Sequence, residues 1–143
     1  MTISACCNRY EEAMADIDNA ITDAIVKVSE DIVIMQMERL YRGLNADGAY
    51  IVPDYKPYTI KIKAKKRQPI DRVTLRDTGA FYEGIFVERR NETIFIDSAD
   101  SKSEELQAKY GEKIFGLRDG EKDFLKEQTT DIIVGYIKER VGL

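Results

Sequence analysis

The chain contains no histidine. Imidazole is the usual base in serine and cysteine hydrolysis and the commonest metal ligand, so mechanisms that depend on it are excluded within one chain. Carboxylate, lysine and tyrosine chemistry remain. Cysteine is nearly as scarce: Cys6 and Cys7 are adjacent. Neighbouring cysteines rarely bridge, and two thiols without histidine cannot complete a zinc site. They read as small apolar residues at the entry to a helix. No run of about 18 uncharged apolar residues occurs, so no membrane span is expected. The opening MTISACCNRYEE lacks a basic start followed by an apolar stretch, so no signal peptide is expected and the cytoplasm is the expected compartment. Nothing in this inventory asks for a cofactor, a metal or a small-molecule substrate.

Glycine and proline are also missing from residue 5 to residue 42, which permits one long helix. Tyr10, Met14, Ile17, Ile21, Ala24, Val28, Ile32 and Met35 step by three and four along one stripe. A second apolar line, Val26, Val33, Met37, Leu40 and Leu44, opens in the later half. Its first three members are candidate interface residues, because one small domain can hardly cover two faces. Gly43 is a stop signal, able to take the left-handed conformation that closes a helix. The 143 residues suit one domain. Residues 1–43 form the helix, either projecting or folded on its own body, and 44–143 an α+β body.

Within that body, GIFVERR and TIFID read as a β-hairpin joined by Arg90-Asn91-Glu92. Ile85 and Val87 share a face, as do Ile94 and Ile96. Ile85 and Ile94 are expected to pack on the C-terminal helix around Ile133. That helix begins near Asp119, with Leu125, Thr129, Ile132, Ile133, Tyr136 and Ile137 inward. A short helix is expected at Ser103 to Tyr110. The fold class is α+β: a long N-terminal helix, a small antiparallel sheet built on a hairpin, and a C-terminal amphipathic helix.

Charge is unevenly placed. Lys56 to Arg67 carries six cations and no carboxylate, so the remainder sums to −10 against an overall −4. Ile60, Ile62 and Ala64 alternate with lysines as in a strand, while a helix starting after Pro57 fits nearly as well. Lys61, Lys63, Lys65, Lys66 and Arg67 are candidate interface residues, for acidic protein surface or, with Tyr55 and Tyr58 nearby, for nucleic acid.

Asp77-Thr78-Gly79 matches the triplet that carries the catalytic carboxylate of aspartic proteases. That chemistry needs two carboxylates sharing a proton, on a nearly all-β scaffold. Here the triplet follows the charged DRVTLR, and the later IIVG lies in a helical pattern. The residues instead suit a turn: Asp77 or Thr78 caps a short helix, Gly79 allows close backbone approach, and Phe81, Tyr82 and Ile85 aim at the core.

The order of these segments resembles the virion-morphogenesis and tail-completion proteins of tailed phages. Their motif, Leu-x-Asp-Thr-Gly-x-Leu-x-x-Ser-Ile leading into a hairpin, is matched by Leu75, Asp77, Thr78, Gly79, Phe81 and Ile85. LNADG resembles their turn before a short Thr/Lys-rich helix. LQAKYGEKIFGL, with Lys109-Tyr110-Gly111, resembles their Tyr-Ala-x-x-His-Glu-Phe-Gly segment, and DFLKEQ their Pro-Phe-Leu before a terminal helix. The chain departs at the missing histidine, at Phe81 and Gly84, and at the missing proline. The resemblance covers Leu40 to the C-terminus. It implies a structural subunit of a phage neck, tail or head–tail connector, located in the virion and assembled in the host cytoplasm. Its partners would be its own copies and other head and tail proteins, with no catalysis. Sequence-independent binding of nucleic acid by residues 56–67 is the alternative.

Overall fold

The computed structural model describes residues 1–91 and 93–143. The order is α1 (Ile3–Ala15), α2 (Ile17–Tyr41), α3 (Pro57–Lys65), α4 (Ala80–Glu83), β1 (Ile85–Arg90), β2 (Thr93–Ser98), α5 (Ser103–Tyr110), a 3-10 turn (Glu112–Ile114) and α6 (Asp119–Val141). This is a mostly helical α+β chain with a two-stranded antiparallel sheet. It divides into two compact units, residues 1–30 with 120–143, and residues 31–119. The division runs through α2.

In the first unit the long helix is interrupted at Asp16. That residue leaves helical geometry (φ −106°, ψ 13°), and its N–H caps the Ala13 and Met14 carbonyls. Aspartate is a poor helix former because its carboxylate competes for nearby donors. Here it accepts from the Asn19 amide, from Arg140 at 2.9 Å and from the Tyr136 hydroxyl at 3.4 Å. Thr2 caps α1 by accepting from the Ala5 N–H. Small residues line the buried side: Ala13, Ala20, Ala24 and Val28, with Leu125 and Val141 of α6. Tyr10 and Met14, expected in that stripe, are exposed. The α6 face holds as read, with Thr129, Ile132, Ile133, Tyr136 and Ile137 half-buried.

The second unit closes on a core of Leu40, Ile51, Val73, Leu75, Phe81, Tyr82, Ile85, Ile114 and Phe115. Each such side chain contributes about 1.5–3 kcal/mol by leaving water. Gln36 and Arg39, both buried, tie α2 to the segment after α5. Arg39 donates to the carbonyls of Ile114 and Gly116, and Gln36 exchanges bonds with Gly116 in both directions. Gly43 ends α2 at φ 77°, as its place in the sequence predicts.

The strands pair Ile85 with Ser98, Val87 with Ile96, and Arg89 with Ile94. The shared face is the expected one, but its burial fades outward. Ile85 is 6% exposed, Ile96 half-buried, and Ile94 39% exposed. The expectation that Ile94 packs inside is therefore corrected: the hairpin runs away from its root, and its inner face loses cover beyond Ile96. Ile85 packs among residues of its own unit, Phe81 and Tyr82 included, and Ile133 is not in that core. Of the expected connection Arg90-Asn91-Glu92, Glu92 lies outside the described residues, while Asn91 takes φ 55°.

Candidate functional site

The basic segment is a helix, settling the alternative left by its composition. Pro57 occupies the first turn, where a missing N–H costs nothing, and Lys63 and Lys65 sit in the last turn, where the helix dipole favours cations. Helical spacing sends its lysines in different directions. Lys63 is 7% exposed. Its ammonium donates to the Arg76 carbonyl at 2.7 Å, reaches Gln68 Oε1 at 3.4 Å, and lies 4.8 Å from the Tyr55 ring centroid. Lys66 pairs with Asp77 at 2.5 Å. Lys61, Lys65 and Arg67 are exposed, as are Lys56 and Tyr58. Of the candidate interface lysines, Lys63 and Lys66 are engaged within the chain, by a carbonyl and a carboxylate of the motif loop.

That loop is held from three sides. The Tyr55 hydroxyl accepts from the N–H groups of Thr74 and Leu75, at 2.9 and 3.1 Å. The buried Tyr82 hydroxyl donates to the Thr74 carbonyl at 2.5 Å. Gln68 donates to the Asp77 carbonyl at 2.7 Å. Leu75 is buried at φ 57°, a left-handed backbone that leucine rarely adopts and that persists only where surrounding bonds over-determine it. Sequence reading found the motif but missed Tyr55, Gln68 and Lys63 as its supports. Their one signal was position, in the segment directly preceding it.

Within the motif Thr78 accepts from the first helical N–H as expected, and Gly79 has a role other than the one expected. Thr78 Oγ1 accepts from the Ala80 N–H at 3.3 Å, while the cap position of α4 is Gly79, at φ 94°. Asp77 caps nothing. A Cβ at Gly79 would meet only Glu83 Oε1, at 3.9 Å, so this glycine serves conformation and not close approach. Close approach occurs at Gly84, where a Cβ would lie 2.6 Å from Ser98 Oγ and 3.0 Å from the Asp100 nitrogen. Phe81, Tyr82 and Ile85 face the core as read.

The hydrogen bond from Lys66, opposed by desolvation and helped by the Lys66, Lys102 and Lys63 charges, holds the Asp77 carboxyl below its ordinary range. The carboxylate is half-exposed and lies beside an ammonium, whereas a proton-sharing dyad needs a second carboxyl beside the first. Burial pushes the Tyr82 phenol upward, so it remains a donor through the alkaline range.

The other candidate residues separate along α2. Val26 is 64% exposed, whereas Val33 and Met37 pack against the second unit's core, so they are less surplus than expected. The open clefts of this unit include one of about 540 Å³ beside Arg42, Asp54, Asp71 and Arg72, and one of about 390 Å³ beside Met37, Tyr41, Arg76 and Tyr82. Among the described residues no group of three or more cysteines, aspartates or glutamates is placed to hold a metal. Among the described residues no helix is long and apolar enough to cross a membrane.

Comparison with protein-family models, with curated proteins and with solved structures found no match.

Proposed function

We propose that this chain is a structural subunit of a tailed-phage or prophage virion, in the neck, tail-completion or head–tail connector position, acting by assembly in a ring. One observation carries the reading. The whole Leu75–Ile85 motif is spent on holding and launching a hairpin, and that hairpin is left exposed at its outer end. Ile94 and Phe95, toward that end, are 39% and 42% exposed, and Phe86 near the root is 36% exposed. A two-stranded sheet is marginal alone, and both edges offer unpaired backbone groups, so such an arm suits contact with a neighbour. The motif order from Leu40 onward supports the same reading, as does the ion pairing of Asp77. The work is geometric: complementary faces repeated about an axis.

A genetic test is direct. In a phage or prophage encoding this chain, its deletion should stop joining of heads to tails, or yield unfinished tails, and supply of the chain in trans should restore infectious particles. Normal yield without it would remove the proposal.

The second reading is sequence-independent binding of nucleic acid by the outer face of α3. Tyr58, 75% exposed beside Lys56, Lys61 and Lys65, favours it. Salt-sensitive retention of DNA that is lost in Lys61→Glu/Lys65→Glu would support this reading.

A further inference from the structure

The two edges of the hairpin differ in what they leave open. The Ala99 N–H donates to the Gly84 carbonyl at 2.9 Å, one step below the Ile85–Ser98 pair. Antiparallel pairs alternate between hydrogen-bonded and non-hydrogen-bonded. Counted from Gly84–Ala99, the pairs Phe86–Asp97, Glu88–Phe95 and Arg90–Thr93 exchange backbone bonds, and Val87–Ile96 and Arg89–Ile94 do not. The N–H and C=O groups of Ile94 and Ile96 therefore point outward from β2. Among the described residues nothing bonds to them. The next outward residue, Ser98, has its N–H taken by Asp97 Oδ1 at 2.7 Å. Thr93, Ile94 and Phe95 are exposed along this edge.

We propose that β2 of one copy pairs antiparallel with β2 of a second copy, about a two-fold axis at Phe95. The proposal rests on the assembly reading above, from which it takes a copy of this chain as the occupant. The open backbone groups set the register. With Phe95 opposite Phe95, Ile94 of each copy faces Ile96 of the other, and every outward N–H and C=O of these residues is used. An axis at Ile96 would call on Ser98 instead, whose donor is taken. An axis at Ile94 would carry Ile96 past the start of the opposite strand at Thr93. Side chains fit the same register. The two Phe95 rings meet in a non-hydrogen-bonded pair, where side chains come closest, and the Thr93 hydroxyl faces the Asp97 carboxylate. The Arg90 guanidinium lies 4.8 Å from the Phe95 ring centroid, so a cation flanks the aromatic pair on each side. The β1 edge fails the same test. An axis at Glu88 or at Arg89 opposes like charges, and one at Val87 needs Ile85, which is buried at the root. The paired arms make a four-stranded sheet, beyond the three strands that independent stability requires.

The test is register-specific disulfide formation in the full chain carrying Cys6→Ser/Cys7→Ser, so that each copy holds one introduced thiol. Non-hydrogen-bonded pairs bring Cα atoms to about 4.5 Å, within reach of a disulfide. Phe95→Cys should give a covalent dimer under mild oxidation. Phe86→Cys, nearly as exposed but on β1, should couple about tenfold more slowly or less. Ile94→Pro removes an outward donor that the hairpin itself does not use. Added to Phe95→Cys, it should slow coupling by about tenfold, because two symmetry-related bonds are lost, with a melting temperature near that of Phe95→Cys alone. Equal coupling of Phe95→Cys and Phe86→Cys would overturn the pairing, whether or not the proline variant folds. Unchanged coupling in a folded Ile94→Pro variant would overturn it as well. Faster coupling between Phe95→Cys and Glu88→Cys than of Phe95→Cys with itself would assign the contact to β1 of the next copy, against the proposal. A chain that never couples yet is found in particles keeps the virion reading and loses the arm pairing. Coupling as described in a chain absent from particles does the reverse.

Discussion

The Lys63 ammonium donates a 2.7 Å hydrogen bond to the Arg76 carbonyl from a site only 7% exposed. A residue from the most basic stretch of the chain thus anchors the loop that launches the hairpin. A charge-assisted bond of this kind contributes about 1.5–3 kcal/mol. Lys63→Ala should therefore cost about 2 kcal/mol in urea unfolding, while Lys61→Ala and Lys65→Ala stay within about 0.5 kcal/mol. Equal effects at the three positions would contradict the anchoring role.

Asp77→Asn should leave the protein folded, with a loss below about 1 kcal/mol, as for other exposed pairs. The folded pKa lies below the ordinary 3.8. The stability from this pair is therefore present above pH 3.8 and lost as pH falls through the lower folded value. Acid unfolding of Asp77→Asn should lack that component. Peptide cleavage at acid pH, present in wild type and abolished by this change, would restore the catalytic reading of the triplet.

The alkaline side has the opposite sign. Burial raises the Tyr82 phenol above its ordinary 10.0, so the unfolded chain ionises first. Tyr82 stabilises the fold below pH 10 and loses that contribution as pH rises toward the folded value. Tyr82→Phe should cost about 1 kcal/mol near neutrality through the lost bond to Thr74. It should also flatten the fall in melting temperature above pH 10. A variant as alkali-sensitive as wild type would place the titrating group elsewhere.

Glycines separate space from conformation. At Gly84 an added Cβ meets Ser98 Oγ and the Asp100 nitrogen, so Gly84→Ala should cost about 1–3 kcal/mol and loosen the hairpin root. Gly135, inside α6, has nothing within 4 Å of an added Cβ. Gly135→Ala should stabilise by about 0.5–1 kcal/mol. Thermal melts of the two variants, moving in opposite directions, are the check.

Position along the hairpin should set the cost of truncation. Ile85→Ala should cost about 2–5 kcal/mol, as for a buried isoleucine. Ile94→Ala, near the exposed end of the same face, should cost less than about 1 kcal/mol. Similar losses at both would mean that the outer hairpin is covered within the monomer.

The sequence pattern was enough for the long N-terminal helical stretch, the Gly43 stop, the two hairpin strands with their faces, and the inward face of α6. All are local, set by period-2 or period-3.6 spacing and by turn residues. Depth was not legible. Ile94 and Ile85 occupy equivalent places in the alternation, yet only the one near the root is covered. Lys63 looks like its neighbours until Arg76, thirteen residues away, supplies a backbone carbonyl as its acceptor. Nor did spacing reveal the helix break at Asp16, which is favoured by partners about 120 residues distant. The motif was visible, and its supports were not, because three of them are single side chains with no pattern of their own.

The structural-subunit role is tested most directly by quantitative mass spectrometry of purified particles from a phage or induced prophage that encodes this chain. The role predicts the chain in finished particles at a fixed copy number relative to the other structural proteins, unchanged by further purification. Particles that are infectious and complete but contain none of it would contradict that role.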